Sequence, residues 1–88
     1  MVSSSHPPIT LYTAPTCSDC NTLKAWFGHE GIAFEERDLS KREVMEEVRA
    51  RTGVRLAPIT LIGDAFFQGT FLTQKPLLTA ALGLSRAV

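Results

Sequence analysis

What most constrains this chain is its alternation of short apolar runs with amphipathic stretches, each boundary marked by proline or glycine. Ile9-Thr10-Leu11-Tyr12-Thr13 is rich in β-branched and aromatic residues and stops before Pro15, which predicts a buried strand. From Cys17 to Glu30, Leu23, Trp26 and Phe27 recur at helical spacing, and Gly31 supplies the stop. Ile32 to Leu39 reads as a second strand, apolar at its start and charged toward its end. The next helix has the clearest punctuation. Ser40 and Glu43 make a capping box, Val44, Met45 and Val48 form one apolar face, Glu47 is spaced to pair with Arg51, and Gly53 stands as the residue past the end. Pro58 to Ile62 and Ala65 to Phe67 flank Gly63-Asp64, the pattern of an antiparallel hairpin. Thr73 to Leu82 closes the chain as a helix, with Thr73 as cap, Pro76 in the first turn, Leu77, Leu78, Ala81 and Leu82 facing inward, and Gly83 at its end.

The predicted order is β-α-β-α-β-β-α, an α/β fold with helices on both faces of a four-stranded mixed sheet. Two βαβ-type connections predict that the first strands run parallel, with the hairpin adding an antiparallel edge. At 88 residues there is room for one core, so residues 9–84 are expected to form one domain between a flexible lead-in at 1–8 and a tail at 85–88.

Nine basic residues balance nine acidic ones, which removes the electrostatic footprint of a nucleic-acid or anionic-membrane binder. No stretch approaches the roughly 20 apolar residues of a spanning helix. The start, Met-Val-Ser-Ser-Ser-His-Pro-Pro, has no basic segment followed by an apolar one, so a cytoplasmic protein is the expectation. Thiols there are kept reduced, and the chain's two cysteines, Cys17 and Cys20, are too few for a disulfide scaffold.

The cysteines stand between a predicted strand and the first turn of a predicted helix. Free N–H groups and the positive end of the helix dipole favour a thiolate there, lowering a cysteine pKa from ~8.5 into the ~3.5–7.5 range. Cys17 is therefore the candidate nucleophile. Cys20, one turn further in, is placed to attack a mixed disulfide at Cys17 and close a Cys17–Cys20 disulfide. A metal site needs about four ligands. Beyond the cysteines only His6, in the lead-in, and His29 are candidates, and His29 stands roughly 18 Å from Cys17 along a helix rising ~1.5 Å per residue, so no single-chain metal site is expected. Asp19 has two readings open: it stabilises the first helical turn, or its charge raises the Cys17 pKa. Trp26 and Phe27 read as core residues, and the charged run from Arg37 to Arg55 as a solvated helix face.

The strand–CxxC–helix arrangement, together with the proline that opens the hairpin, resembles the glutaredoxin branch of the thioredoxin superfamily. The matching pieces are Leu11 to Cys20, Lys24, Ala57 to Gly63, and Gly69-Thr70-Phe71, and the likeness runs from Ile9 to Leu82. The resemblance implies a thioredoxin fold of minimal glutaredoxin type and a glutaredoxin-like disulfide oxidoreductase working through Cys17 and Cys20. It implies a substrate-binding rim of Thr16, Lys24, Ala57, Pro58, Gly69 and Phe71, with Pro58 cis beside the cysteines and Ala57 pairing with a substrate chain. Lys24 is expected either as a solvated charge or as a contact to a substrate carboxylate.

The chain departs from the family pattern in three places. Ser18-Asp19 replaces the usual Pro-Tyr, Leu56-Ala57-Pro58 replaces Thr-Val-Pro, and Gln68-Gly69-Thr70-Phe71-Leu72-Thr73 lacks the acidic residue that holds the glutamyl end of glutathione. The resemblance thus implies a monomer with no tightly bound cofactor, acting on protein or low-molecular-weight disulfides. Its reductant is glutathione or a thioredoxin-reductase-type flavoprotein, the latter as in redoxins serving ribonucleotide reductase. The alternatives are a dimer bridging an iron–sulfur cluster through Cys17, and a redox-inert adaptor that only binds partners beside Pro58.

Overall fold

The structure is a computed structural model that describes residues 7–84. Most of the expected lead-in, His6 included, and the 85–88 tail therefore lie outside the described residues. The elements are β1 (Ile9–Thr13), α1 (Ser18–Glu30), β2 (Glu35–Asp38), α2 (Arg42–Thr52), β3 (Ile59–Ile62), β4 (Ala65–Gln68) and α3 (Phe71–Ala81). They form the expected β-α-β-α-β-β-α succession around a four-stranded sheet in the order β2-β1-β3-β4.

Alternation along the strands assigns each helix to a face. Ile9, Leu11 and Ile62 meet Leu23 and Phe27 of α1 and Leu78 of α3. Tyr12, Ile59 and Leu61 point the other way and enclose Val44 and Val48 of α2. All four residues of β3 are buried, because helices cover it on both faces and β1 and β4 flank it.

Strand direction corrects the sequence reading. β1 and β2 are parallel, but β3 is antiparallel to β1, with Tyr12 opposite Ile59 and Ile9 opposite Ile62. Only the first connection is thus a parallel crossover. The apolar periodicity marks where a strand lies without giving its direction. Residues 53–58 can span about 20 Å when extended, enough to turn the chain before it enters β3.

Four local expectations also change. β2 starts at Glu35 rather than Ile32, since Ile32 donates its N–H to Phe27 O at 2.9 Å and so finishes α1 around the left-handed Gly31. The Ser40–Glu43 capping box does not form. Asp38 Oδ1 takes the Ser40 N–H at 2.9 Å, and α2 begins one residue later with Lys41 at its N-cap and no side-chain cap. Glu47 turns to Tyr12 and Arg37 instead of pairing with Arg51. α3 starts at Phe71 with Thr70 as cap, which places Pro76 in its second turn and rotates the buried face to Gln74 and Leu78, leaving Leu77 and Ala81 exposed.

Candidate active site

The site is assembled where β1 ends, β3 begins and two helices start. After β1 the chain turns through Ala14 to Thr16, with Cys17 N–H donating to Ala14 O at 3.3 Å. Cys17 is the N-cap of α1, and its Sγ accepts the N–H of Cys20 at 3.0 Å. A cap is ordinarily an oxygen acceptor; here the sulfur takes that place. The two sulfurs form a disulfide across a Cα–Cα distance of 5.2 Å. Their exposures differ: Cys17 is half-buried, while Cys20 is 1% exposed. In the dithiol state an N–H aimed at Cys17 Sγ and the start of a 13-residue helix both favour the thiolate.

The Ala57–Pro58 bond is cis, as the resemblance implies. Pro58 is buried and Ala57 half-buried at the entrance to β3. Sequence reasoning missed what holds this turn. Gln74, fully buried on α3, donates through Nε2 to Pro58 O at 2.9 Å and Gly69 O at 3.0 Å, and its Oε1 accepts the Thr60 hydroxyl at 2.7 Å. A single amide thus ties the turn before β3 to the loop before α3. The signal for it was a lone polar residue on the stripe Phe71, Gln74, Leu78, visible once α3 is started at Phe71 rather than Thr73.

Gly69 has φ +115°, and a Cβ there would come within 3.0 Å of Thr73 Cγ2, so the rim demands glycine for both conformation and space. Thr70 caps α3 by accepting the Thr73 N–H at 3.2 Å. Phe71, expected at the rim, is half-buried edge-on against Trp26 with ring centroids 6.0 Å apart, and Lys75 Nζ lies 5.8 Å from its ring centre. Its N–H donates to Asp19 Oδ1 at 3.0 Å, joining the segment between the cysteines to the start of α3.

Lys24 lies on a cleft of about 340 Å³ with Thr13, Ala14, Pro15 and Asn21, and its ammonium is paired with Glu36 at 3.0 Å. The Thr13 hydroxyl also donates to Glu36 at 2.8 Å; this bond first, and Lys24 second, hold the Glu36 carboxyl below its usual range. Thr16 is exposed beside Cys17. Next to Ala57, the 77% exposed Leu56 lines a second hollow with Met45, Val54, Arg55 and Gln68. Among the described residues no group of three His, Cys, Asp or Glu side chains is arranged to hold a metal ion, and no helix is long and apolar enough to cross a membrane.

Comparison with known proteins places this geometry. The sequence model of one family, Glutaredoxin, matches residues 9–67. The glutaredoxin-like protein NrdH of Lactococcus lactis is 30% identical over 61 residues, covering 69% of this chain and 85% of that protein. The global transcriptional regulator Spx 2 of the same species is 48% identical over 31 residues, and the match spans 35% of this chain and only 24% of that protein. Among solved structures, the thioredoxin-like protein BC3987 superposes with a TM-score of 0.75 at 24% identity, covering 84% of this chain and 99% of that one, a likeness of fold. The glutaredoxin-like NrdH-redoxin of Escherichia coli superposes with a TM-score of 0.61 at 26% identity, over 73% of this chain and 83% of that one. That structure is a basis for the NrdH-redoxin's thioredoxin-like activity profile.

Proposed function

The chain belongs to the glutaredoxin family, and from that premise we propose a thiol–disulfide oxidoreductase in which Cys17 is the attacking sulfur and Cys20 the resolving one. The observation that carries this reading is the asymmetry of the pair: Cys17 Sγ is half-exposed at the helix start with an N–H on it, and Cys20 is buried behind it.

In the dithiol form the Cys17 thiolate attacks a substrate disulfide. The substrate S–S bond breaks, a bond from Cys17 Sγ to one substrate sulfur forms, and the other leaves as a thiolate. Cys20 then gives up its proton and attacks Cys17 Sγ, closing the Cys17–Cys20 disulfide and expelling the second substrate sulfur. Two electrons pass from the pair to the substrate; the Cys20 proton ends on one of the substrate's sulfurs, and the other, released as a thiolate, takes its proton from solvent. The pair must then be reduced from outside.

The substrates we assign are protein disulfides, and the reductant a thioredoxin-reductase-type flavoprotein in preference to glutathione. Two features support this: α3 has no acidic residue in its first turn, and the Lys24 ammonium is committed to Glu36. The thioredoxin-like activity profile of the Escherichia coli relative points the same way. Such a cycle belongs in a reducing compartment, and the cytoplasm is our assignment.

The test pairs two variants with a protein disulfide substrate. Cys20→Ser should accumulate a mixed disulfide at Cys17, seen by mass spectrometry after alkylation, and Cys17→Ser should abolish turnover. Reduction that persists in Cys17→Ser overturns the mechanism. A coupled assay supplying electrons through thioredoxin reductase, or through glutathione and its reductase, decides the donor.

A further inference from the structure

Asp19 stands between the two cysteines, yet its carboxylate is engaged with another helix. Its Oδ1 accepts the N–H of Phe71, the first residue of α3. Two further donors of that helix start are used from within, since Thr73 N–H goes to Thr70 Oγ1 and Gln74 N–H to Thr70 O. No acidic residue of α3 itself lies in its first turn. The positive end of α3 beside the redox pair is thus neutralised by a carboxylate from the redox motif.

We propose that Asp19 determines which disulfides reach Cys17, by occupying the Phe71 amide and setting a fixed negative charge beside the sulfurs, so that neutral disulfides are preferred over anionic ones. This rests on the oxidoreductase reading above. Two effects act in the same direction. A substrate carboxylate finds the Phe71 amide taken, and it meets a like charge held in place by a hydrogen bond.

The test uses two small disulfides that oxidise the reduced pair by the same exchange: net-anionic glutathione disulfide and uncharged bis(2-hydroxyethyl) disulfide. Pre-reduced protein is mixed with each, quenched with acid, alkylated and weighed, and the readout is the ratio of the two rate constants. In Asp19→Ala, which removes both charge and acceptor, that ratio should rise about fivefold, the factor a carboxylate is worth at a helix start. Asp19→Asn keeps an acceptor for the Phe71 N–H without the charge, and its ratio should fall between Asp19→Ala and the wild type. Its near-identical shape guards against a failure to fold. Ratios unchanged in both variants, with oxidation of the pair intact, overturn the role of Asp19 alone. Wild-type protein whose cysteines are oxidised by neither disulfide overturns the oxidoreductase reading instead.

Discussion

The two faces of the sheet hold their helices by different chemistry. On the face of α1 and α3 the deepest polar contact is neutral: Gln74 joins the Thr60 hydroxyl to the carbonyls of Pro58 and Gly69. On the α2 face it is ionic. The buried Tyr12 hydroxyl donates to Glu47, which also accepts from Arg37. The Tyr12 bond first and Arg37 second draw the Glu47 carboxyl below its usual range, while burial, followed by the Glu47 bond, pushes Tyr12 above 10.0. A clamp of amide and hydroxyl keeps its geometry while a thiol above it gains and loses a proton; a clamp of ions does not. The neutral one is anchored on α3, whose first residue is bonded to Asp19 between the cysteines, and the ionic one joins α2 to β1 and β2 on the other face, where only stability is at stake.

Replacing Gln74 with Met breaks that comparison most severely. Methionine fills the same volume but leaves the Pro58 and Gly69 carbonyls and the Thr60 hydroxyl without their partner. Buried groups left in this way cost about 1–3 kcal/mol, and the variant should lose about 2–3 kcal/mol in urea unfolding. That deficit should be the same at neutral and mildly acidic pH, because nothing in the clamp titrates. With Pro58 and Gly69 untied, KM for a protein disulfide should rise more than kcat falls. A deficit that shrinks with acid would mean that the neutral clamp is not what was lost.

This contrast explains which parts of the molecule were legible in the sequence. Element existence was, because its signals are local: Gly31 and Gly53 end helices and Gly63-Asp64 makes the hairpin, each within a few residues of what it controls. The cysteine pair was legible too, since a helix start follows it at once. The direction of β3 was not, because it depends on how residues 53–58 cross space. The Ser40 cap failed through competition with Asp38, a carboxylate two residues back that claims the Ser40 N–H. Gln74 and Asp19 were opaque for a stronger reason. Apart from Gly69, five residues before Gln74, their partners lie 14, 16 and 52 residues away, and no periodicity within a helix announces a bond across the fold.

Glu47→Gln is the counterpart on the ionic face. The amide still accepts from Tyr12 but carries no charge for Arg37, and because the pair is partly solvated the loss at neutral pH should be about 0.5–1 kcal/mol. Its pH dependence separates it from Gln74→Met. A carboxyl whose folded pKa is depressed contributes stability that is fully present above its unfolded value, ~4.3, and lost as pH falls through the folded one. The variant and wild type should therefore converge in acid. Tyr12 has the opposite sign: its raised folded pKa gives stability that is present below ~10 and lost as pH climbs through the folded value. Urea midpoints from acid to alkaline pH should show both limbs in the wild type and no alkaline limb in Tyr12→Phe.

The smallest expected effect concerns how the helices begin. α1 and α3, whose starts form the site, are each capped by a side chain, Cys17 Sγ and Thr70 Oγ1. α2 has Lys41 in that position with extended backbone and no side-chain cap, and the N–H of its third residue, Val44, turns back to Lys41 O at 3.1 Å. Serine has the right reach to accept from the second or third residue of the helix, and Lys41→Ser should stabilise the protein by about 0.5 kcal/mol. The gain should appear in the urea midpoint and leave KM and kcat where they were, because α2 packs on the face away from the cysteines. If Lys41→Ser lowered the midpoint, α2 would not start where the backbone places it. If it changed KM, the two faces would be coupled, and the separation between a neutral clamp for position and an ionic one for stability would not hold.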